Sequence, residues 1–340
     1  MNQPNIAVLG ATGVVGSRIL SILEERNFPF NSIKFLASAK SAGKEIKFKG
    51  NTYIIEEAKP ESFEGVDIVL SSAGASTSKL FAHEAVKKGA VVVDNTSLFR
   101  MEKDVPLVIA GVNDDDIRKH NGIIANPNCS TSQLMLVLKP LHDAAKIKKL
   151  VVSTYQSVSG AGKAAIDELM DSSKAALSKH EFENKVFKKN IAFNLIPQID
   201  VFMDNGYTKE EMKLINETKK ILHLPEETPI SATAVRVPVV ISHSEAVNVE
   251  FEKPITPDEA RKILSEAYGV IVEDNPANFE FPTPTETAGK DPVYVGRIRK
   301  DLASDNGLIM WVVADNLRIG AALNTVRIAE KLVEMELVGK

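Results

Sequence analysis

Residues 5–16 read NIAVLGATGVVG and place a glycine-rich loop between a strand and a helix. The apolar run Ile6–Leu9 predicts a buried strand, and Val14–Arg26 carries apolar residues at helical spacing. Glycines at such a turn let the backbone approach a pyrophosphate, and the helix N-terminus adds N–H donors and positive potential. The spacing is GxxGxxG and not the commoner GxGxxG, so a tight turn without a ligand stays an alternative. The strand–loop–helix context favours a dinucleotide-binding unit.

Further apolar runs continue this pattern through the first part of the chain. They predict five more strands, Ile33–Ala37, Val66–Ser71, Val91–Asp94, Val108–Ala110 and Ile123–Ala125. A helical stretch, Lys79–Lys88, separates two of them. Because strands that alternate with helices form parallel sheets, the predicted fold class is α/β, with a Rossmann-type doubly wound sheet.

The pattern changes after Cys129. Helices are predicted at Ser130–Lys139, Lys163–Lys179 and Lys209–Ile221, and strands at Leu150–Ser157, Ser231–Val237, Ala246–Phe251, Val293–Arg299 and Leu308–Ala314. Paired strands without βαβ spacing predict a second, α+β domain with a mixed or antiparallel sheet. A closing helix is predicted at Asn316–Leu337, and its apolar face is expected to return to the first domain; that face is formed by Ile319, Leu323, Val326 and Leu332. We therefore predict a first domain of residues 1–128 and 316–340 and a second domain of residues 129–315.

Composition excludes several classes of protein. The 340 residues include 41 basic and 45 acidic side chains, a net charge of −4 that gives no footprint for nucleic acid. No run of about 18 apolar residues predicts a membrane span, and the first residues lack the layout of a signal peptide. The single cysteine cannot form an internal disulfide. We expect a cytoplasmic protein.

The segment after the second predicted strand bears on the choice of cofactor. It reads Ser38-Ala39-Lys40-Ser41 and contains no acid. NAD-binding proteins usually place Asp or Glu there to accept a hydrogen bond from the ribose 2′-hydroxyl. A lysine and two hydroxyl groups instead favour NADP, because an acid would repel its 2′-phosphate. A solvated loop lysine is the alternative.

Cys129 follows the predicted strand Ile123–Ala125 and precedes a helix. Pro127 disfavours helix for the residue before it, and Asn128 is a preferred N-cap residue. Cys129 would then lie in the first helical turn, where N–H groups and the helix dipole stabilise a thiolate. The alternative is that Cys129 is only a small, buried hydrophobic residue. A thiolate beside a nicotinamide would add to an aldehyde and yield a thioester after hydride loss.

Seven sequence blocks stand in order along the chain: Gly10–Gly16, Asp94–Arg100, Asn126–Thr131, Gln156–Gly162, Glu210–Lys213, Arg236–Val239 and His243–Glu245. Together they resemble the aspartate-semialdehyde dehydrogenase family over almost the whole chain. The resemblance implies a two-domain enzyme whose second domain is catalytic and forms a homodimer or a dimer of dimers. It also implies the NADPH-dependent reduction of 4-phospho-L-aspartate to aspartate 4-semialdehyde and phosphate, on the route to lysine, threonine, methionine and diaminopimelate.

The resemblance further implies a role for each matching residue. Cys129 matches the nucleophile, His243 the general acid/base, and Gln156 the residue that orients the acyl intermediate. The implied substrate contacts are Arg236 for the α-carboxylate, Glu210 for the α-ammonium, Arg100 and Lys213 for phosphate, and Asn128. The implied cofactor contacts are Gly10, Thr12, Gly13, Val14, Val15, Lys40, Ser41, Ser159, Gly160 and Asn316. Lys40 stands where the family commonly has arginine, which leaves the strictness of the NADP preference open because lysine lacks arginine's planar fork.

Two other functions stay open at this point. N-acetyl-gamma-glutamyl-phosphate reductase shares the chemistry, but its acetylated substrate nitrogen needs no acid such as Glu210. A non-catalytic NADP-binding redox sensor would use the glycine loop and Cys129. Such a sensor would not need the combination of Arg100, Lys213, Gln156 and Arg236.

Overall fold

The computed structural model describes residues 3–338, whose strands form two six-stranded sheets and a two-stranded hairpin. The strands are β1 (Asn5–Leu9), β2 (Ser32–Ala37), β3 (Glu45–Phe48), β4 (Asn51–Ile54), β5 (Glu56–Glu57), β6 (Ile68–Ser71), β7 (Val91–Asp94), β8 (Ile123–Ala125), β9 (Ile147–Gln156), β10 (Ile230–Arg236), β11 (His243–Phe251), β12 (Val270–Val272), β13 (Val293–Lys300) and β14 (Gly307–Ala314). The helices are α1 (Val14–Glu25), α2 (Ala75–Lys87), α3 (Cys129–Ala145), α4 (Lys163–Leu177), α5 (Lys209–Leu222), α6 (Pro257–Ser265), α7 (Pro284–Thr287) and α8 (Leu323–Glu334).

The chain divides into two compact units. One boundary lies between Pro127 and Asn128 and the other between Gly320 and Ala321, so the first unit joins the residues before the second unit to those after it. Residues 128 and 316–320, which we predicted to lie in the first domain, belong to the second unit. Asn316 is held in the second unit because its side chain accepts hydrogen bonds from Ser157 and Ser242.

The first unit contains a parallel sheet in the order β5-β2-β1-β6-β7-β8. From β1 the chain winds outward to β2 and β5 in one direction and then from β6 to β8 in the other. This is the doubly wound order, and it confirms the predicted Rossmann-type fold. The direction reverses between β1 and β6, which is where such sheets bind their ligands.

The predicted strand at Val108–Ala110 is wrong. Only Leu107 forms a bridge, to Ala125 of β8. Asparagine side chains take the hydrogen bonds that a neighbouring strand would have made. Asn324 donates to the carbonyl of Val108 and accepts from the N–H of Ala110, both at 2.9 Å. The run is apolar because it is buried, and burial alone does not make a strand.

The closing helix is shorter than predicted. A π-helix, Arg318–Ala322, precedes α8. The apolar residues that we expected to face inward are all buried, namely Ile319, Leu323, Val326 and Leu332. Helix α8 contacts α1, β6 and β7, so it covers part of the first sheet. Among the described helices, none is long and apolar enough to cross a membrane.

The second unit contains a mixed sheet in the order β10-β9-β11-β14-β13-β12. The outer pairs, β10/β9 and β12/β13, are parallel, and the inner pairs are antiparallel. This confirms the prediction of a second domain with a mixed sheet. Helix α3 packs against β9, β11, β13 and β14. The sheet therefore fixes α3, and α3 in turn places Cys129.

Candidate active site

Helix α3 begins at Cys129, and its first turn is capped as predicted. The Asn128 backbone is extended, and its Oδ1 accepts a hydrogen bond from the N–H of Ser130 at 2.9 Å. The Asn128 N–H donates to Oε2 of Glu217 at 2.6 Å. Cys129 is partly exposed, and no second cysteine exists. The thiol thus lies among backbone N–H groups whose partial positive charge favours a thiolate.

His243 is the neighbour of the thiol. Its Nε2 lies 3.2 Å from Sγ of Cys129, and its ring is fully buried. The predicted strand of this region began at Ala246, which left His243 in the preceding loop, but His243 is the first residue of β11, where it pairs with Ala314. Burial, and then the charge of Arg236, holds the pKa of His243 well below its usual value of 6.5. The imidazole is therefore neutral at pH 7.

The hydrogen bonds of His243 identify its tautomer. Its Nδ1 lies 3.0 Å from the backbone nitrogen of Ser157, which carries a hydrogen and can only donate. Nδ1 must therefore hold the lone pair, and in the neutral ring the proton lies on Nε2. The Nε2–H group faces Cys129. It can donate to a thiolate or to an oxyanion bound to the sulfur.

Arg236 ends β10 and is buried. Within residues 3–338, its guanidinium donates one side-chain hydrogen bond, from Nη1 to the carbonyl of Ser157 at 2.7 Å. Burial lowers the pKa of Arg236, while the charges of Glu210 and Cys129 raise it. An arginine stays protonated in such a site. The remaining N–H groups of its fork match a carboxylate.

Glu210 joins three of the predicted residues. Its Oε1 accepts from Nδ2 of Asn128 at 2.9 Å and from Nε2 of Gln156 at 3.1 Å. Its Oε2 lies 3.2 Å from Nζ of Lys213, which also pairs with Asp200 at 2.8 Å. Burial lowers the pKa of Lys213, but the two carboxylates outweigh burial and raise it overall. Lys213 is therefore a fixed cation with anionic partners.

Two glycines lie close to the side chains of Cys129, Arg236 and His243. A Cβ at Gly160 would lie 3.2 Å from Nη1 of Arg236 and 3.3 Å from Nε2 of His243. A Cβ at Gly320 would lie 2.5 Å from the Cβ of Cys129, which is not possible without movement. Gly320 is part of the π-helix, a rare element that is frequent at functional sites.

Asn316 holds the segments around His243 together. Its Oδ1 accepts from the N–H of Ser242 at 3.0 Å and from the hydroxyls of Ser157 and Ser159 at 3.1 Å. Asn316 and Ser159 are both buried, whereas Gly160 is exposed. The structure thus gives Asn316 a clear internal role. Its predicted contact with a cofactor stays a prediction.

The glycine loop of the first unit borders a cavity of about 440 Å³. Its lining residues are Leu9, Gly10, Thr12, Gly13, Ala37, Ser38, Ala39, Glu57, Ala58, Ser72, Ala73, Thr77 and Phe81. Gly10 has φ +89°, and a Cβ there would lie 2.9 Å from the backbone of Ala73. A Cβ at Gly16 would lie 2.1 Å from the Gly10 carbonyl oxygen. The glycines therefore bring the backbone to the cavity wall, as a dinucleotide requires.

Four residues of the first unit that were predicted to bind cofactor do not line this cavity. They are Val14, Val15, Lys40 and Ser41. Glu57 does line it, although the segment after β2 contains no acid. Arg100, also in the first unit, is buried and donates to the carbonyls of Asn126 at 2.9 Å and Asn95 at 3.0 Å. No group of histidine, cysteine and acidic residues that could hold a metal ion occurs in the described part of the chain.

Comparison with known proteins agrees with this geometry. Two family models match the chain, "Semialdehyde dehydrogenase, NAD binding domain" over residues 5–120 and "Semialdehyde dehydrogenase, dimerisation domain" over residues 138–319. The aspartate-semialdehyde dehydrogenase of Bacillus subtilis is 51% identical over 98% of this chain and 99% of its own length. The chain belongs to the aspartate-semialdehyde dehydrogenase family.

Solved structures support the same assignment. Aspartate-semialdehyde dehydrogenase II of Vibrio cholerae, crystallised in complex with ASA, is 46% identical with a TM-score of 0.94 and covers 98% of this chain and 99% of its own. The NADP-bound enzyme of Candida albicans is 28% identical with a TM-score of 0.78, at the same coverage. This member of the family is an oxidoreductase. The comparisons support neither N-acetyl-gamma-glutamyl-phosphate reductase nor a redox sensor.

Sequence reasoning missed several residues of this aspartate-semialdehyde dehydrogenase site. Glu217 lies seven residues after Glu210 on α5, hence on the same side of the helix, and an acid on a buried helical face is a usable signal. The backbone N–H of Ser157 and the absent side chain of Gly320 leave no such signal. Their contributions come from main-chain position, which the residue type does not reveal.

Proposed function

We propose that this chain reduces 4-phospho-L-aspartate to aspartate 4-semialdehyde, with release of phosphate, through a thioester on Cys129. The observation that carries the proposal is the Cys129–His243 pair, 3.2 Å apart at the start of α3. A thiolate stabilised by the helix N-terminus and by the Nε2–H of His243 is a competent nucleophile at neutral pH. We also place the protein in the cytoplasm, where a single cysteine stays reduced.

Most of the proposed substrate contacts are charged side chains of the second unit. The free N–H groups of Arg236 would bind the α-carboxylate of the substrate as a fork. The buried Glu210 carboxylate would bind the α-ammonium, in exchange for part of its contact with Asn128 or Lys213. Gln156, whose Oε1 accepts from Thr154 at 2.9 Å, would orient the acyl carbonyl. Lys213 and Arg100 would bind phosphate.

The chemical steps need one nucleophile and one hydrogen-bond donor. The Cys129 thiolate attacks the acyl carbon, the bond to phosphate breaks, and the departing phosphate takes a proton from solvent. NADPH, when bound, supplies the hydride that reduces the acyl carbon. The resulting oxyanion accepts a hydrogen bond from Nε2 of His243 and collapses to the aldehyde, which restores the thiolate. His243 thus acts as a donor in its neutral form, a narrower role than the general acid/base that the sequence resemblance implied.

The cofactor is NADP in this proposal, held by the first unit. The cavity beside Gly10 and Gly13 would take the adenosine and pyrophosphate end. Helix α1 has no side-chain cap at its N-terminus, so its first N–H groups remain for a phosphate. Thr12 and Ser38 add hydroxyl groups to the lining. Lys40 would reach the 2′-phosphate from the loop that follows.

We also propose a homodimer, which the match to a dimerisation domain supports. One face of the second sheet carries partly exposed side chains in register. Ser153 pairs with Ala246, which pairs with Trp311, and Asn248 stands between Val151 and Ile309 in the same way. Directly paired residues share a face. A second copy of this chain is the occupant that this largely apolar face fits, and a dimer of dimers would add a further interface.

One set of assays tests the reaction. With aspartate semialdehyde and NADP, phosphate should be required for steady turnover, and a burst of NADPH near one per site should appear without it. Mass spectrometry of the quenched protein should find the acyl group on Cys129, and Cys129→Ala should lose nearly all turnover. Undiminished turnover without phosphate would indicate a hydrolytic dehydrogenase. Preference for N-acetylglutamate semialdehyde, or an active Cys129→Ala variant, would refute the proposal.

A further inference from the structure

An acid reaches the dinucleotide cavity from a strand that sequence reasoning did not consider. Of the described residues that line the cavity, Glu57 is the one with a charged side chain. It ends β5, a two-residue strand that pairs in parallel with β2. Its register partner is Ala37, the last residue of β2. The carboxylate therefore emerges at the carboxyl edge of the sheet, beside the segment 37–39 that forms the same wall.

This position contacts the bound dinucleotide in a Rossmann-type sheet. The carboxyl end of the second strand is where the adenosine ribose lies, and an acid there accepts a hydrogen bond from the 2′-hydroxyl. In this chain β2 ends without an acid, but β5 supplies one in the neighbouring position. Lys40, the predicted reader of a 2′-phosphate, is exposed and does not line the cavity.

We infer that Glu57 accepts a hydrogen bond from the ribose 2′-hydroxyl and thereby gives this chain affinity for NAD(H) beside NADP(H). The inference rests on the dinucleotide site of the proposed function and adds a specificity-determining residue to it. A carboxylate binds the 2′-hydroxyl of NAD as a charged acceptor, and it repels the 2′-phosphate of NADP.

Lys59 explains how both cofactors fit one site. Its Nζ lies 3.0 Å from Oε2 of Glu57, and both side chains are solvent-accessible. The pair is easily rearranged, because exposed ion pairs contribute little free energy. Lys59 offsets the charge of Glu57 and can turn toward a bound 2′-phosphate. Removal of Lys59 should therefore weaken NADPH binding and leave NADH binding unchanged or stronger.

The test is direct binding, measured by titration of reduced-cofactor fluorescence without substrate. In Glu57→Gln, NADH affinity should fall about tenfold and NADPH affinity should rise, since a hydrogen bond to a charged group is worth at least that factor. Calorimetry with 5′-AMP and 2′,5′-ADP should reproduce the change in the fragments, which places it at the adenosine end.

Glu56→Gln is the matched control. Glu56 precedes Glu57 on β5, is exposed, and does not line the cavity, so both affinities should stay at wild-type values. Equal NADH-to-NADPH affinity ratios in wild type and Glu57→Gln would overturn the inference while leaving the proposed function intact. Failure of the wild-type protein to bind either dinucleotide would refute the cofactor site itself.

Discussion

The main-chain N–H of Ser157 determines which nitrogen of His243 carries the proton. Because that N–H occupies Nδ1 at 3.0 Å, the ring presents Nε2–H to Cys129. An imidazolium would need a second N–H at Nδ1, directed at another donor. The burial of the ring and the charge of Arg236 oppose the same protonation by lowering the pKa. Two independent features of the site thus favour a neutral donor.

Glu245 is another buried titratable residue, two positions after His243 on β11. It is fully buried, and neither carboxyl oxygen makes a hydrogen bond of ordinary geometry within the described residues. Burial raises its pKa well above 4.5, although the nearby amide of Gln133 acts in the opposite direction. The carboxyl group is therefore held in its neutral form. Gln133 also donates to the His243 carbonyl at 3.3 Å, so this contact adjoins the site.

The raised pKa of Glu245 predicts a pH dependence of stability. Above pH 4.5 the unfolded chain loses a proton that the folded chain keeps, so the free energy of unfolding falls as pH rises toward the folded-state pKa. Glu245→Gln imitates the neutral acid and should raise that free energy at neutral pH and flatten its decline. Urea unfolding across pH 5–8 measures both effects.

A matched comparison separates this from a general charge effect. Glu250→Gln removes an acid of the same strand that forms an exposed pair with Lys148, and it should change stability little. If Glu245→Gln unfolds more easily at neutral pH, the carboxyl is an ionised partner in the native state and our account of it is wrong.

Among the elements, the N-terminus of α3 combines folding and function. Asn128→Ala removes the cap that bonds to Ser130 and the contact with Glu210. It should cost about 1 kcal/mol of stability and also lower kcat, because the first turn carries Cys129. Thermal unfolding and steady-state kinetics measure the two effects.

Helix α6 offers the control for this cap. Thr256→Ala removes an N-cap that accepts from the N–H of Glu259, outside the candidate site. A similar loss of stability is expected, with kcat unchanged. Equal loss of kcat in both variants would show that the rate follows global stability and not the placement of Cys129.

Most helices and strands could be predicted because hydrophobic periodicity and the residues that begin or end an element are local properties of the sequence. Three of these features mark the start of a helix in the structure: the glycine loop, the Pro127-Asn128 pair and the helical spacing after Lys209. The error at Val108–Ala110 arose because burial and strand formation have the same apolar signature. The predicted strand began only at Ala246, whereas β11 begins at His243 and buries the polar Ser244 and Glu245.

For the whole molecule, the open face of the second sheet predicts self-association. Val151 is 38% exposed on that face. Val151→Glu would place a charge within the proposed interface and should shift the protein from dimer to monomer in sedimentation velocity. Leu302→Glu introduces the same charge at a position that is 98% exposed, between β13 and β14, and should leave the dimer intact. A monomeric wild type would contradict the proposed homodimer, and a dimeric Val151→Glu variant would contradict the proposed interface.

Tertiary placement is what the sequence did not reveal. Cys129 and His243 were identified by their motifs, but their 3.2 Å separation depends on α3 and on the start of β11. Glu57 was overlooked because it belongs to a strand of two residues, too short for any periodic pattern. Gly320 is needed because its backbone lies close to Cys129, and the residues next to Gly320 in the sequence do not indicate this contact.

The first unit consists of two stretches of chain that flank the second unit, and this has a consequence for synthesis on the ribosome. Domains tend to fold as they emerge, but α8 is translated after the whole second unit. Until then, the part of the first sheet that α8 covers remains open, while every strand of the second unit is already available. A chain that has emerged from the ribosome as far as Gly320 would thus have a complete second unit and a first unit that still lacks α8. Such a chain would present the uncovered apolar surface of the first sheet to chaperones.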